Sequence, residues 1–447
     1  MKDNDPKVLA LVLAGGEGKR LAPLTRSLAK PAVPFHCRHR LIDFALSNLC
    51  NSGIGQIYVL AQYCSESVTE HLATTWHDRM RSGRFVRPVI GGVDGMDAFR
   101  GTADAVYRCR QLLAEHSADV VAVFGSDHVY RMDVRQMVGR HIERGADVTI
   151  ATLPVPLAAA RGFGVVETES GGWVRRFDEK PVDPRTIAGS ADQALASMGN
   201  YLFRPGVLLR ALDDCCRAGL HDFGGHLLPR LLEAGRHRVL AYDFSTNVVE
   251  GARGQPNYWR DVGTVDAYFD AHMDTQGVRP RFSMADPAWP IRCAAPSLTW
   301  PLAGVADCVR GAPEWTPTVR SAGTPAADLV DTIVRDGVTI GAGASLARCV
   351  IHDGVSIGAG CRLRNVIVAG DNALPAGIEI GFDPIADRRR FPVTEHGIVV
   401  VPTGAFRQSG PRVSLAAGLA LPSRPREPRQ RATAPATTTT PRIADRI

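Results

Sequence analysis

The chain has 447 residues, 45% of them hydrophobic and 22% charged, enough to bury a full core and more than one domain usually holds, so two domains with extensions are expected. The formal charge of +6 does not point to a nucleic-acid partner: from Gln408 onward seven arginines face only Glu427 and Asp445 (7 − 2 = +5), which leaves the rest near neutral. The N-terminal apolar run, Val8 to Ala14, is too short to span a bilayer and leads into Gly15-Gly16 without a small-residue cleavage site, so no membrane partner is expected and the chain reads as cytoplasmic.

Residues 1–285 read as α/β. Short apolar runs such as Val8 to Leu13, Ile57 to Leu60, Val120 to Phe124 and Val148 to Leu153 are bounded by Gly or Asp and separated by helix-length polar stretches. Buried, mainly parallel strands with crossover helices have this texture, and ligands of such sheets bind beyond the carboxyl ends of the strands. The first such end carries Gly15-Gly16-Glu17-Gly18-Lys19-Arg20-Leu21. It is neither a P-loop, which needs Ser or Thr after Gly-Lys, nor a dinucleotide fingerprint, whose third glycine is Leu21 here. Its glycines let backbone N–H groups approach phosphate, and Arg20 with the nearby Lys30 can neutralise charge on a departing pyrophosphate. Taken alone, the segment is equally readable as a tight turn.

Further along, Asp127 follows the Val120–Phe124 run, where a carboxylate faces the cleft of such a sheet. Only five of the 52 basic residues are lysines, and three of them, Lys19, Lys30 and Lys180, lie in or beside the candidate site motifs. Ten scattered cysteines form no Cys-x-x-Cys pair, which fits reduced thiols rather than a zinc site. His128 and most other histidines read as structural.

Residues 286–330, rich in Pro and Ala, read as a linker or degenerate coils, and a repeat follows in 331–405. Ile340 to Leu346, Ile357 to Leu363 and Leu374 to Ile380 recur 17 residues apart, with Gly343, Gly360 and Gly377 in register and Val334, Ile351 and Val368 at the same spacing. Apolar positions every five or six residues with glycine at the turns describe a parallel β-helix whose coils share a core. Residues 406–447 read as a disordered, basic, Pro/Thr-rich tail.

The stretch Leu13 to Leu21 with Lys30-Pro31-Ala32-Val33 resembles the signature of sugar-1-phosphate nucleotidyltransferases. Arg40 to Asn48 (RLIDFALSN) narrows the likeness to ADP-glucose pyrophosphorylases of actinobacterial type. Matches continue in order at Arg100 to Ala105, Gly125 to Tyr130, Phe163 to Val165, Glu179 to Pro181, Ser197 to Tyr201, His221 to Gly224 and Tyr258 to Thr264, covering residues 8 to about 400. The resemblance implies a Rossmann-like nucleotidyltransferase domain followed by a short left-handed β-helix, and homo-oligomers, tetramers or dimers. It implies a reaction of a nucleoside triphosphate with a sugar-type 1-phosphate, ATP and glucose 1-phosphate by default, that releases pyrophosphate and serves glycogen synthesis. It also assigns roles. Arg20, Lys30, Asp127 and Lys180 are catalytic; Leu13, Ala14, Gly15, Gly16, Gly18, Gly101 and Thr102 bind the nucleotide. Phe99, Gly164, Glu179, Lys180 and Ser197 line the sugar-phosphate site, and Asp127 with Asp261 holds Mg²⁺, an ion that takes few protein ligands.

Four departures from the family pattern stand out. Phe99 replaces a tyrosine, and Pro88 to Met96 lacks the glutamine-rich stretch that meets adenine. His226 replaces an acidic residue. His36-Cys37-Arg38-His39 replaces a Gly-Gly loop, and Ser27 stands where enteric relatives carry an activator-binding lysine. Together they keep open a paralogue that activates a cyclitol 1-phosphate, such as valienol 1-phosphate, with GTP. A non-catalytic regulatory subunit and a hexapeptide acyltransferase relying on His352 are the readings from other classes.

Overall fold

The structure, a computed structural model, describes residues 6–77, 83–93, 95–252, 255–293, 320–321 and 327–407. All lie in one compact unit, Met1–Arg407. The expected tail from Gln408 on and most of the expected linker fall outside the described residues.

The first half is built on a nine-stranded sheet. Val8–Ala14 lies at its centre, parallel to both Gln56–Ala61 and Val120–Gly125. Its side chains alternate between faces, Ala10 and Val12 joining one apolar cluster and Leu9 and Leu11 the other. Burial on both faces is why the run is continuously apolar rather than alternating. Phe85–Ile90, Val148–Pro156, Gly164–Thr168 and Val239–Asp243 point the same way as these three; only Val174–Glu179 and Gln193–Phe203 run against them. The sheet is therefore mainly parallel, as expected, and the carboxyl ends of its central strands open side by side.

The second half is a parallel β-helix. Asp328–Val330, Ser345–Ile351 and Arg362–Val368 stack in parallel at the 17-residue offset read from the repeat. So do Thr339–Ile340, Ser356–Ile357 and Ala373–Leu374. The corners explain the period. Asp331, Arg348 and Asn365 form one left-handed corner, Gly337, Gly354 and Asp371 the next, and Gly343, Gly360 and Gly377 the third. Three turns of positive φ per coil let a chain of short strands close on itself, and glycine, Asn and Asp adopt that conformation most easily. Ile340, Ile357 and Leu374 stack inside, as do Leu346, Leu363 and Ile380.

The two halves share a core. Phe35, Phe44, Tyr268 and Phe269 of the first pack with Val350, Ile367 and Val400 of the second. Arg335, 5% exposed, donates through Nη1 to the carbonyl oxygens of Phe35, His36 and His39 at 3.0, 2.7 and 3.2 Å. The Tyr268 hydroxyl donates to Pro34 O at 2.6 Å, so its 2.9 Å contact with His352 Nε2 has the imidazole as donor. Burial lowers His352 to about 3, and its side chain is enclosed at this seam. The candidate base of the acyltransferase reading is thus a neutral packing residue.

The start of the expected linker also packs inward. Trp289 donates Nε1 to Asn48 Oδ1 at 2.9 Å, and Ile291 O is bonded by His39 Nε2 at 3.1 Å.

Candidate active site

A cleft of about 430 Å³ opens at the carboxyl ends of the central strands. Leu13, Ala14, Gly15 and Gly16 form one edge of it, and Gly101 and Thr102 lie across from them. Gly18 and Arg20 do not reach this lining. Gly18 has φ +64°, and a Cβ there would sit 2.9 Å from Lys30 Cβ, so the glycine turns the loop and seats Lys30 beneath it. Arg20 is exposed beside Gly263.

Register carries the acidic residues into place. Leu13 pairs with Gly125, so Asp127 emerges next to the glycine-rich turn. Ser126 fastens the two, its hydroxyl donating to Leu13 O at 2.5 Å. Trp259–Asp261 then runs antiparallel to His128–Tyr130 with Asp261 opposite His128. This two-stranded ribbon brings the distant carboxylates together. Lys30 Nζ lies 2.6 Å from Asp127 Oδ2 and 4.0 Å from Asp261 Oδ1.

Burial opposes charge on Asp127, but the Lys30 ammonium, His128 and the Lys30 hydrogen bond outweigh it and hold the carboxyl well below the usual range. Lys30 is raised, because Asp127 and Asp261 together outweigh its own desolvation. Both groups stay charged at neutral pH.

Asp127, His128 and Asp261 each bring a donor atom to within 4.8 Å of the others. A cation already bridges the two carboxylates in the form of Lys30, and their hard oxygens suit a divalent ion, so the residues fit a metal. His128, read from sequence as structural, belongs to this group: Nε2 lies 3.5 Å from Asp127 Oδ1 and 3.6 Å from Asp261 Oδ1. Its Nδ1 is buried without a partner.

On the other wall stand Phe99, Glu179 and Lys180. The Lys180 ammonium pairs with Glu179 Oε1, and Lys180 itself has φ +47°, an uncommon backbone for a lysine. Glu179 is seated by two glycines. A Cβ on Gly224 would lie 2.3 Å from its Oε2, and one on Gly164 would lie 3.1 Å from the same oxygen and 2.3 Å from Phe177. Gly164 therefore makes room for the site rather than lining it. Ser197 is also absent from the lining; it is buried, accepts from Gly199 N at 3.2 Å and shapes the bulge before Tyr201.

Two side chains outside the sequence expectation complete the cleft. Gln62 clasps Phe99 by both backbone groups, accepting from its N–H and donating to its carbonyl at 3.1 Å. Its one sequence signal is its place just beyond the end of Gln56–Ala61. Asp222, inside the His221 to Gly224 motif, accepts from Thr102 Oγ1 at 3.0 Å and from Gly225 N at 2.7 Å. The His226 departure is resolved: the imidazole turns back to accept from Asp222 N at 3.2 Å and does not line the cleft, so it does not change the charge of the lining.

An α/β domain with a phosphate-type glycine turn, a carboxylate pair and an acid-lysine pair, followed by a hexapeptide helix, defines a sugar-1-phosphate nucleotidyltransferase. Comparison with known proteins agrees. Residues 9–277 match the Nucleotidyl transferase family, and residues 321–401 match the GlmU-like C-terminal hexapeptide family. A glucose-1-phosphate adenylyltransferase of Deinococcus radiodurans is 41% identical over 430 residues, covering 89% of this chain and 99% of the relative. The enzymes of that name from Parafrankia sp. and Thermus thermophilus are 42% and 43% identical, each alignment covering 89% of this chain and 98% of the relative. The chain belongs to the glucose-1-phosphate adenylyltransferase family. Among the described residues no helix is long and apolar enough to cross a membrane.

Proposed function

We propose that this enzyme transfers the adenylyl group of ATP to glucose 1-phosphate, giving ADP-glucose and pyrophosphate, with Mg²⁺ held by Asp127 and Asp261. The observation that carries the reading is the convergence of both carboxylates on Lys30 beside the glycine-rich turn. The near full-length likeness to adenylyltransferases supports the choice of substrates.

In this reading a phosphate oxygen of the sugar 1-phosphate attacks the α-phosphorus in line. The bond from that phosphorus to the β-bridging oxygen breaks, and pyrophosphate leaves with the electron pair. The attacking oxygen is already anionic, so no protein base is needed and catalysis rests on position and charge. Mg²⁺, when bound, supplies positive charge against the triphosphate oxygens. Leu13 to Gly16, with Gly18 shaping their turn, and Gly101 and Thr102 frame the nucleotide. Arg20 and Lys30 balance charge on the departing pyrophosphate. Lys180 holds the sugar phosphate, Glu179 accepts from a sugar hydroxyl, and Phe99, Gly164 and Ser197 shape that end.

The product is an activated glucosyl donor for glycogen synthesis. The reading places a homo-oligomer, tetramer or dimer, in the cytoplasm, in keeping with cysteines that form no disulfide among the described residues.

Four nucleoside triphosphates assayed with glucose 1-phosphate and with a cyclitol 1-phosphate, read by pyrophosphate release, test the proposal. Turnover best with ATP and glucose 1-phosphate upholds it. Turnover confined to GTP and the cyclitol overturns the substrate pair, and nucleotide binding without any pyrophosphate release marks a regulatory subunit.

A further inference from the structure

Thr102 follows Gly101 at the first position of the helix Thr102–Arg108, on the wall where a nucleotide contact is expected. Its hydroxyl is turned elsewhere. It donates to Asp222 Oδ2 at 3.0 Å and accepts from Phe223 N at 2.9 Å, so its one proton and one of its two lone pairs are used within the segment that carries Gly224. The same segment is tied to this helix by its backbone. His221 O accepts from Ala103 N at 2.8 Å and from Asp104 N at 3.3 Å, and a Cβ on Gly101 would lie 2.4 Å from that oxygen. Beyond Asp222 the chain makes a wide helical turn, Phe223–Leu227, capped by Asp222 Oδ1 on Gly225 N. Within that turn Gly224 backs the carboxylate of Glu179, which stands beside Lys180. An unbroken chain of contacts therefore runs from the Thr102 hydroxyl through Asp222 and Gly224 to Glu179.

We infer that Thr102 is a positioning residue for the sugar-phosphate side of the cleft, setting where Glu179 and Lys180 stand, and that its side chain is not a nucleotide contact. This rests on the proposed reaction and refines it, since it removes one group from the nucleotide set and adds it to the sugar side. It also makes the two subsites share a hinge: the helix that frames the nucleotide wall carries the hydroxyl that fixes the sugar loop.

The experiment compares Thr102→Val and Thr102→Ser with the unaltered enzyme. It measures KM for the 1-phosphate that the unaltered enzyme turns over best, and the dissociation constant of its nucleoside triphosphate by calorimetry. Thr102→Val is expected to raise KM for the 1-phosphate about tenfold, the scale of losing a hydrogen bond to a charged partner, with nucleotide affinity within about twofold. Thr102→Ser, which keeps the hydroxyl, should return KM to within about threefold of the original. Should Thr102→Val not fold, Thr102→Ala carries the same comparison. A loss of nucleotide affinity with an unmoved KM for the 1-phosphate overturns the inference, as does a serine variant as impaired as the valine. Because KM is taken with whichever 1-phosphate is used, a wrong choice of sugar defeats the proposed reaction and leaves this inference standing.

Discussion

Lys30 Nζ stands 2.6 Å from Asp127 Oδ2 and 4.0 Å from Asp261 Oδ1, so one ammonium is shared by a carboxylate just past Val120–Gly125 and another at the end of Trp259–Asp261. The lysine thereby occupies, in the free protein, the charge position that a divalent ion would share.

Replacing Lys30 with Met should separate metal binding from turnover. Turnover is expected to fall about 10²-fold or more, the scale of removing one charge-stabilising donor. Mn²⁺ bound to the free protein, read by electron paramagnetic resonance, should hold at least as tightly, because two carboxylates lose their internal counter-charge. Weaker Mn²⁺ binding would show that Lys30 supports the ion rather than competing with it.

Asp127→Asn and Asp261→Asn should each abolish pyrophosphate release and weaken Mn²⁺ binding in the same resonance measurement. Asp127→Asn should also lower the melting temperature, because it leaves the largely buried Lys30 ammonium without its 2.6 Å partner, while Asp261→Asn, 4.0 Å from that ammonium, should change it little. Normal Mn²⁺ affinity in either variant would move the metal elsewhere.

Two glycine substitutions should behave differently. In Gly101→Ala the new Cβ meets a backbone oxygen, His221 O, at 2.4 Å, and backbone cannot step aside cheaply. A loss of roughly 1–3 kcal/mol in stability is expected by chemical denaturation. In Gly224→Ala the Cβ meets the end of a side chain, Glu179 Oε2, at 2.3 Å. Stability should hold while KM for the sugar 1-phosphate rises several-fold.

Truncating Arg335 to Met should loosen the seam between the domains. Its Nη1 serves three carbonyl oxygens, and its Nε pairs with Asp353 Oδ2 at 3.0 Å. Leaving buried acceptors unpaired costs about 1–3 kcal/mol for each group left without a partner, so unfolding should shift to markedly lower denaturant. An unchanged midpoint would mean that water replaces the guanidinium.

Stability should fall in mild acid. Burial lowers His39 and His141 to about 4 and His272 and His352 to about 3. In the unfolded chain each titrates near 6.5, so the unfolded state binds more protons below that pH and the native state is disfavoured. Stability is therefore full above about pH 6.5, and each histidine removes roughly 1 kcal/mol between pH 6.5 and 5.5. His272 makes the point structurally. Its Nδ1 bonds to Tyr268 O at 2.8 Å and its Nε2 accepts from His36 N at 3.0 Å, so protonation would destroy an acceptor. Urea melts across this range should show the slope, and His272→Gln should reduce it.

Much of this protein is legible in its sequence. Gly15 to Gly18 and Asp127 sit just past the ends of two parallel strands, and a parallel sheet delivers such positions to one rim; Lys30, in a turn well beyond its strand, and Lys180, after a strand of opposite direction, were legible only from their motifs. The 17-residue period also gave the β-helix register, because its corners recur at positions that tolerate positive φ. Both signals are local, set by spacing along the chain. What only the tertiary structure decided is the partner of each side chain. The 128–130 and 259–261 ribbon sets Asp261 against Asp127 and draws in His128. Thr102 turns to Asp222, His226 turns away from the cleft, Ser197 lies inside, and His352 becomes a seam residue. Motifs place a residue on an element, but hydrogen-bond capacity is satisfied by whatever group packing brings near. For Thr102 and His352 that group, Asp222 or Tyr268, is distant in sequence, where no local pattern encodes it.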